Sequence, residues 1–121
     1  MWQAVIIAEE VGIDPIVFTR QINQESGFNP YVVSWAGAIG IAQIVPRWHP
    51  EVDPYDPRAS LYYAANLMSS HLEHFGGDYA KALAAYNAGR GYVDDLVRWH
   101  GDNWRAFLWD ETSRYLNTIL G

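Results

Sequence analysis

At Asp14-Pro15 and again at Asp56-Pro57 an aspartate is followed at once by a proline, and each of these pairs opens a stretch whose apolar residues recur at steps of three and four. An aspartate there can accept the first unpaired N–H groups of a helix, and a proline in the first turn has its φ already set. Glycines close the same stretches. Gly12 follows a segment from roughly Trp2 to Val11, Gly27 follows one ending near Ser26, and Gly76-Gly77 follow a long run through Leu61, Ala64, Met68, Leu72 and Phe75. No stretch of four or more residues alternates cleanly in the strand manner, so the pattern predicts a mainly α fold.

The remaining segments follow the same grammar. The first helix puts Trp2, Val5, Ile6 and Glu9 on one side. Asp78 is placed to cap a helix in which Tyr79, Ala82, Leu83 and Tyr86 share a face before Gly89. Val93, Leu96 and Val97 pattern a further segment, and Asp110 and Glu111 open a last one that buries Tyr115, Leu116 and Ile119. The part between Phe28 and Pro57 is rich in Gly, Pro, Trp and Ser, and is expected to be irregular apart from a short helical stretch from about Ala38 to Val45. There is no internal repeat, low-complexity tract or linker, and 121 residues suffice for a single domain, 1–121, with one core.

Eight Lys and Arg stand against fourteen Asp and Glu, a net charge of −6. Such a chain has no basic field to hold a phosphate backbone, which argues against nucleic acid as a partner. Without cysteine there is no disulfide, thiolate metal site or cysteine nucleophile. No apolar run approaches the roughly 18 residues of a membrane span. The apolar stretch Trp2 to Ala8 has no Lys or Arg before it and runs into Glu9-Glu10, so it does not read as a signal peptide. If the chain works outside a cell, a lost leader, a larger parent protein or a delivery device carries it there.

One carboxylate is oddly placed. Phe18, Ile22 and Glu25 are spaced by four and three, so Glu25 shares the stripe expected to face the core. Apolar neighbours disfavour the charged carboxylate, and the negative end of the helix dipole acts the same way, so both raise its pKa. An acid kept protonated near neutral pH can protonate a leaving oxygen. Periodicity alone leaves a second possibility open, a helix-end Glu turned to solvent.

The residues around Glu25 bear on that choice. Glu25-Ser26-Gly27-Phe28-Asn29-Pro30 resembles the catalytic motif of the soluble-type lytic transglycosylases, relatives of goose-type lysozyme. Ser34-Trp35-Ala36-Gly37-Ala38-Ile39-Gly40-Ile41-Ala42-Gln43 resembles the family's second motif, Ala84-Ala85-Tyr86-Asn87-Ala88-Gly89 its third, and Glu111-Thr112 with Tyr115 its closing signature. The four stand in the family's order from about Asp14 to the end. The resemblance implies a single lysozyme-like helical domain in which a larger helical lobe and the Phe28 to Asp56 region frame a glycan groove centred on Glu25.

It also implies the chemistry. In the family the glutamate protonates the oxygen between N-acetylmuramic acid and N-acetylglucosamine of peptidoglycan, then deprotonates the muramic 6-hydroxyl, which attacks C1 and gives a 1,6-anhydro product. One carboxylate serves twice, unlike ordinary glycosidases with two. The sugar's 2-acetamido group is expected to stabilise the developing cation, and no cofactor or metal is implied. Carried over by motif, Ser34 and Gln43 contact the sugar, and the Gly37 to Gly40 turn lets backbone approach the glycan. Tyr86 points its hydroxyl toward the acid or the substrate, Asn87 fastens neighbouring loops, and Glu111 lies near the cleft. Each has a plainer explanation as well: a tight loop with a polar cap for Ser34 and Gln43, a core aromatic for Tyr86, a helix-dipole partner for Glu111.

The chain departs from the family pattern at Ile41-Ala42, Val45, Ser60-Leu61 and Ser113, which bears on substrate preference. The segment Pro46 to Asp56 does not align. If Glu51, Asp53 or Asp56 reached the far face of the sugar, the enzyme would direct a water and act as a hydrolytic muramidase. Asp56 has a competing duty as a helix cap. A non-cutting glycan-binding or structural domain of a phage tail is a third possibility, against which Glu25 and Gln43 argue. His71 and His74 are expected at the surface rather than on a metal. Any of Trp35, Trp48, Trp99, Trp104 and Trp109 could stack on a pyranose; most are expected in the core, with Trp35 and Trp48 in the cleft since they lie in the irregular segment. Expected partners are therefore peptidoglycan glycan strands, met in the periplasm or outside the cell and through phage delivery or bacterial wall turnover, by a monomer or an excised module of a larger protein. A net charge of −6 is unusual for a protein working on an anionic wall and suggests that another module or a machine brings it there.

Overall fold

The computed structural model describes residues 2–121. In chain order it contains α1 (Trp2–Val11), α2 (Pro15–Ser26), α3 (Pro57–His74), α4 (Tyr79–Ala88), α5 (Arg90–His100), a 3₁₀ segment (Gly101–Phe107) and α6 (Asp110–Leu120). The chain divides into two compact units, residues 1–66 and 67–121, with α3 running across the boundary.

In the first unit the expected caps are in place. Asp14 accepts the N–H groups of Ile16 at 2.8 Å and Val17 at 3.3 Å. Gly27 ends α2 at φ 60°, its N–H donating to the Asn23 carbonyl. Asp56 accepts the Ala59 N–H at 3.0 Å and so starts α3. Helix α1 turns a different face inward from the one its sequence suggests: Ala4, Ile7 and Ala8 are buried, whereas Trp2 and Ile6 are exposed. Apolar residues surround this helix, and the stripe with two alanines lets α2 come closest. The predicted helix from Ala38 to Val45 is absent. Those residues form tight turns held by isolated antiparallel bridges, Val33 with Ile39 and Ile39 with Ile44. Gly40 and Gln43 both have positive φ, which no helix accommodates.

In the second unit α4 is buried nearly all round through Ala82, Leu83, Ala84 and Ala85. It packs against α5 and α6. The last helix buries Thr112, Tyr115, Leu116 and Ile119, much as its spacing predicts. The inward stripe of α3 continues through Met68 to His71, which is buried rather than at the surface. Arg90 Nε donates to His71 Nδ1 at 3.2 Å, and the Arg90 guanidinium also reaches Ser70 Oγ at 2.9 Å. The bond to His71 gives the buried imidazole a polar partner.

Candidate functional site

Glu25 lies in the last turn of α2, half-buried, on the stripe whose earlier members Phe18 and Ile22 are fully buried. Its neighbour Ser26 donates through Oγ to the Ile41 carbonyl at 2.6 Å, with the Ile22 carbonyl at 3.4 Å. The end of α2 is thereby fixed to the loop that carries the second motif.

That loop is built from its own backbone. Gly40 N–H donates to Val32 O at 2.7 Å, Ile39 and Ile44 exchange hydrogen bonds at 2.9 and 3.0 Å, and Ser34 N–H donates to Ala38 O at 2.8 Å. Ser34 Oγ accepts the Ala38 N–H at 3.0 Å, so its hydroxyl proton is not used by that bond. Gln43, at φ 51°, donates through Nε2 to the carbonyls of Val32 and Gly40 at 3.1 and 3.0 Å. Two carbonyl partners fix which end of the amide is nitrogen, leaving Oε1 as the atom able to accept from a ligand. Gly37 has open space where a Cβ would stand, but a Cβ on Gly40 would overlap the Pro54 carbonyl oxygen. The close backbone approach expected at Gly40 is therefore made to the chain itself.

Trp35 is 101% exposed and Trp48 is exposed with the Arg47 guanidinium 5.0 Å from its ring centroid. The expectation that most tryptophans are core is wrong: Trp2, Trp99 and Trp109 are exposed too, and of all six only Trp104 is buried, at 6%. Trp109 lies flat on Tyr92, ring centroids 4.0 Å apart, so one indole face is covered by stacking instead of by a core.

The segment from Pro46 to Asp56, which the motifs leave unaligned, is held by α3. Tyr63 donates its hydroxyl to Glu51, and His49 Nδ1 lies 2.6 Å from the Tyr63 hydroxyl oxygen. Since the hydroxyl proton goes to Glu51, His49 must carry a hydrogen on Nδ1. Burial, then the hydrogen bond and negative charge of Glu51, push the Tyr63 hydroxyl up to about 12. Asp53 accepts the Tyr55 N–H at 3.0 Å, and buried Ser60 reaches the carbonyls of Asp53 and Pro54 at 3.2 and 3.3 Å. All three carboxylates weighed above as second catalytic groups, Glu51, Asp53 and Asp56, have local structural partners.

In the second unit Tyr86 and Asn87 are half-buried near the end of α4. Asn87 Oδ1 accepts from Thr112 Oγ1 at 2.8 Å, so it ties α4 to α6 rather than loop to loop. Glu111 is exposed in the first turn of α6, where its charge suits the helix dipole. His74 pairs with Asp94 at 2.9 and 3.0 Å. Among the described residues no group of three His, Asp or Glu is placed to hold a metal.

Sequence reasoning missed Ser26, Ser60 and Tyr63 as the residues that hold the loops. Ser26 was legible only as part of a motif, Ser60 reaches back six and seven residues, and Tyr63 meets Glu51 and His49 twelve and fourteen residues away. It also passed over Gln21, although the stripe that singled out Glu25 runs through that position.

Residues 5–103 match the Transglycosylase SLT domain. Over 108 residues the chain is 36% identical to the membrane-bound lytic murein transglycosylase C of Actinobacillus pleuropneumoniae, covering 72% of this chain and 30% of that protein. It is 33% identical over 111 residues to the membrane-bound lytic murein transglycosylase D of Escherichia coli K12, covering 79% and 25%. A transglycosylase of Enterobacteria phage PRD1 is 30% identical over 92 residues, covering 73% and 34%. Among solved structures, an inactive mutant of the lytic transglycosylase Slt from Pseudomonas aeruginosa superposes with a TM-score of 0.83 at 24% identity, covering 98% of this chain and 22% of that one. The chain thus spans about a third or less of the length of the relatives it matches. No helix among the described residues is long and apolar enough to cross a membrane. With most of its length under one domain match and the same fold throughout, this chain belongs to the transglycosylase SLT domain family.

Proposed function

We propose that residues 1–121 form one catalytic domain of a peptidoglycan lytic transglycosylase, with Glu25 as its acid and base. The observation that carries this is the domain match over residues 5–103, which includes Glu25 on the half-buried end of α2. The Glu25 carboxyl gives its proton to the oxygen joining N-acetylmuramic acid to N-acetylglucosamine. The C1–O bond breaks and the N-acetylglucosamine leaves with a free 4-hydroxyl. The carboxylate then takes the proton of the muramic 6-hydroxyl as O6 bonds to C1. Glu25 ends as it began, protonated, and no water is consumed.

Several features support a single-carboxylate route. Glu51 is bound to Tyr63, Asp53 closes a turn and Asp56 caps α3, so each has a duty other than directing water. Ser34 Oγ and Gln43 Oε1 retain hydrogen-bonding capacity for sugar groups, and Trp35 offers a ring face for a pyranose. The setting is the bacterial cell wall, in the periplasm or outside the cell, with either bacterial or phage delivery.

The test is mass spectrometry of fragments released from purified peptidoglycan, with Glu25→Gln alongside. Anhydro-muramic ends that disappear in the variant are expected. Reducing muramic ends would show that water attacks and would overturn the transglycosylase step. Release by a folded Glu25→Gln protein would overturn the assignment of the acid.

A further inference from the structure

Between Glu25 and Arg47 no residue carries a charge. Within that stretch exposure alternates along the chain: Tyr31, Val33 and Trp35 are exposed at 77%, 55% and 101%, whereas Val32 and Ser34 are half-buried. Side chains of an extended segment point to opposite sides in turn, so Tyr31, Val33 and Trp35 stand along its outer side and Ser34 faces the other way. The two rings are four residues apart, at most about 14 Å of chain.

The backbone beneath them is pinned. Tyr31 N–H donates to Asn29 Oδ1 at 2.9 Å, and the Val32 carbonyl accepts from Gly40 N–H at 2.7 Å and from Gln43 Nε2 at 3.1 Å. Val33 is bridged to Ile39, and Ser34 N–H donates to Ala38 O at 2.8 Å. None of these bonds uses the Tyr31 hydroxyl, the Val33 methyls or the Trp35 ring. Apolar side chains exposed singly are ordinary, but a fixed row of them on one side of a segment returns nothing to the fold and marks a surface that meets a ligand.

The chemistry of the row selects the ligand. With no charged residue in the segment, it has no cation for a phosphate, an anionic lipid headgroup or a carboxylate. Lipid surfaces are held by longer apolar faces edged with Lys and Arg. Planar rings with no charge beside them suit the C–H faces of uncharged pyranoses, and on the inner side of the same loop the Ser34 hydroxyl can still donate to a sugar.

We propose that Tyr31, Val33 and Trp35 form a second glycan-binding ridge, outside the groove that holds the bond to be cut, which takes the sugar faces of a peptidoglycan strand. This inference rests on peptidoglycan being the substrate. The ridge gives a chain of net charge −6 a grip on the wall that does not depend on charge.

The experiment compares wild type with Tyr31→Ser, Trp35→Ser and Trp2→Ser, the last removing a tryptophan that is 80% exposed on α1. Cosedimentation is read with purified sacculi at low and high salt, with sacculi stripped of stem peptides, and with vesicles of zwitterionic or anionic lipid. The KM for cleavage is read on intact wall and on short soluble glycan fragments, and melting temperatures are read beside them. Wild-type binding to sacculi is expected to survive salt and removal of the stem peptides. Tyr31→Ser and Trp35→Ser are expected to melt like wild type, to bind sacculi about tenfold more weakly, and to raise KM on the wall about tenfold relative to KM on fragments. Trp2→Ser is expected to bind as wild type does.

Equal rises in KM on wall and fragments would overturn the proposal by placing the ridge within the groove. Undiminished binding by both ridge variants, an equal loss in Trp2→Ser, loss of wild-type binding in high salt or with the stem peptides, or binding to vesicles instead of sacculi would overturn it as well. So would melting far below wild type, since the rings would then serve the fold. In each of these cases continued cleavage of the wall by the wild-type protein leaves the proposed function standing. A wild-type protein that neither binds nor cleaves the wall would overturn both.

Discussion

Ser26 Oγ donates to the Ile41 carbonyl oxygen at 2.6 Å, joining the residue after Glu25 to the turn that Gly40 and Gln43 shape. The helix end and the loop therefore hold their geometry together. Ser26→Ala leaves the carbonyl without this donor, and should cost about 1 kcal/mol of stability in denaturant titration. If Glu25 is the acid as proposed, it should also lower kcat about tenfold, as Glu25 loses its fixed position. A stability loss with unchanged kcat would show that the bond serves the fold only.

Gly40 and Gly37 make a matched pair, both at positive φ, 81° and 89°. An added Cβ at Gly37 meets open space, while at Gly40 it meets the Pro54 carbonyl. Gly37→Ala should cost about 1 kcal/mol from conformation alone, and Gly40→Ala about 3 kcal/mol or more, since backbone must move. Calorimetric melting temperatures of the two variants give the comparison, and equal losses would contradict it.

The amide of Gln43 donates to two carbonyl oxygens. Gln43→Glu replaces the donor by an oxygen, so attraction becomes repulsion. A loss of about 2 kcal/mol is expected at neutral pH, recovering partly in acid as the carboxyl becomes protonated and can donate once. A stability difference from wild type that does not narrow on acidification would count against this account.

Tyr63 has its hydroxyl pushed up to about 12 from an ordinary 10.0, first by burial and then by Glu51. A raised pKa means that the neutral hydroxyl is favoured in the folded state. Its contribution is fully present below pH 10 and is lost as pH climbs toward 12. Tyr63→Phe should flatten the fall in melting temperature across that window, and an unchanged slope would mean that the Glu51 and His49 contacts contribute no pH-linked stability.

Much of the architecture is legible in the linear pattern. Asp14, Asp56 and Asp78 cap the helices they precede because a cap needs only an acceptor within three residues of free N–H groups. Gly27 and Gly76-Gly77 stop helices for an equally local reason. Motif and spacing also single out Glu25, Ser34, Gln43, Tyr86, Asn87 and Glu111 as candidates for the site. The same reasoning failed between Ala38 and Val45, where apolar residues suggest a helix but positive φ at Gly40 and Gln43 folds the chain into turns.

What the sequence by itself determined is set by neighbours close in the chain: where helices begin and end, which sides of each are apolar, and the four motifs. What only the tertiary structure decided depends on residues far apart in the chain. It chose the alanine face of α1 over its tryptophan, exposed all the tryptophans but Trp104, and buried His71 against Arg90. It gave Glu51 to Tyr63, bound Ser26 to Ile41, and enclosed the Gln21 amide without a partner one turn from Glu25. Periodicity states which residues share a side, but burial and pairing depend on what arrives at that side, and only the folded chain brings it there.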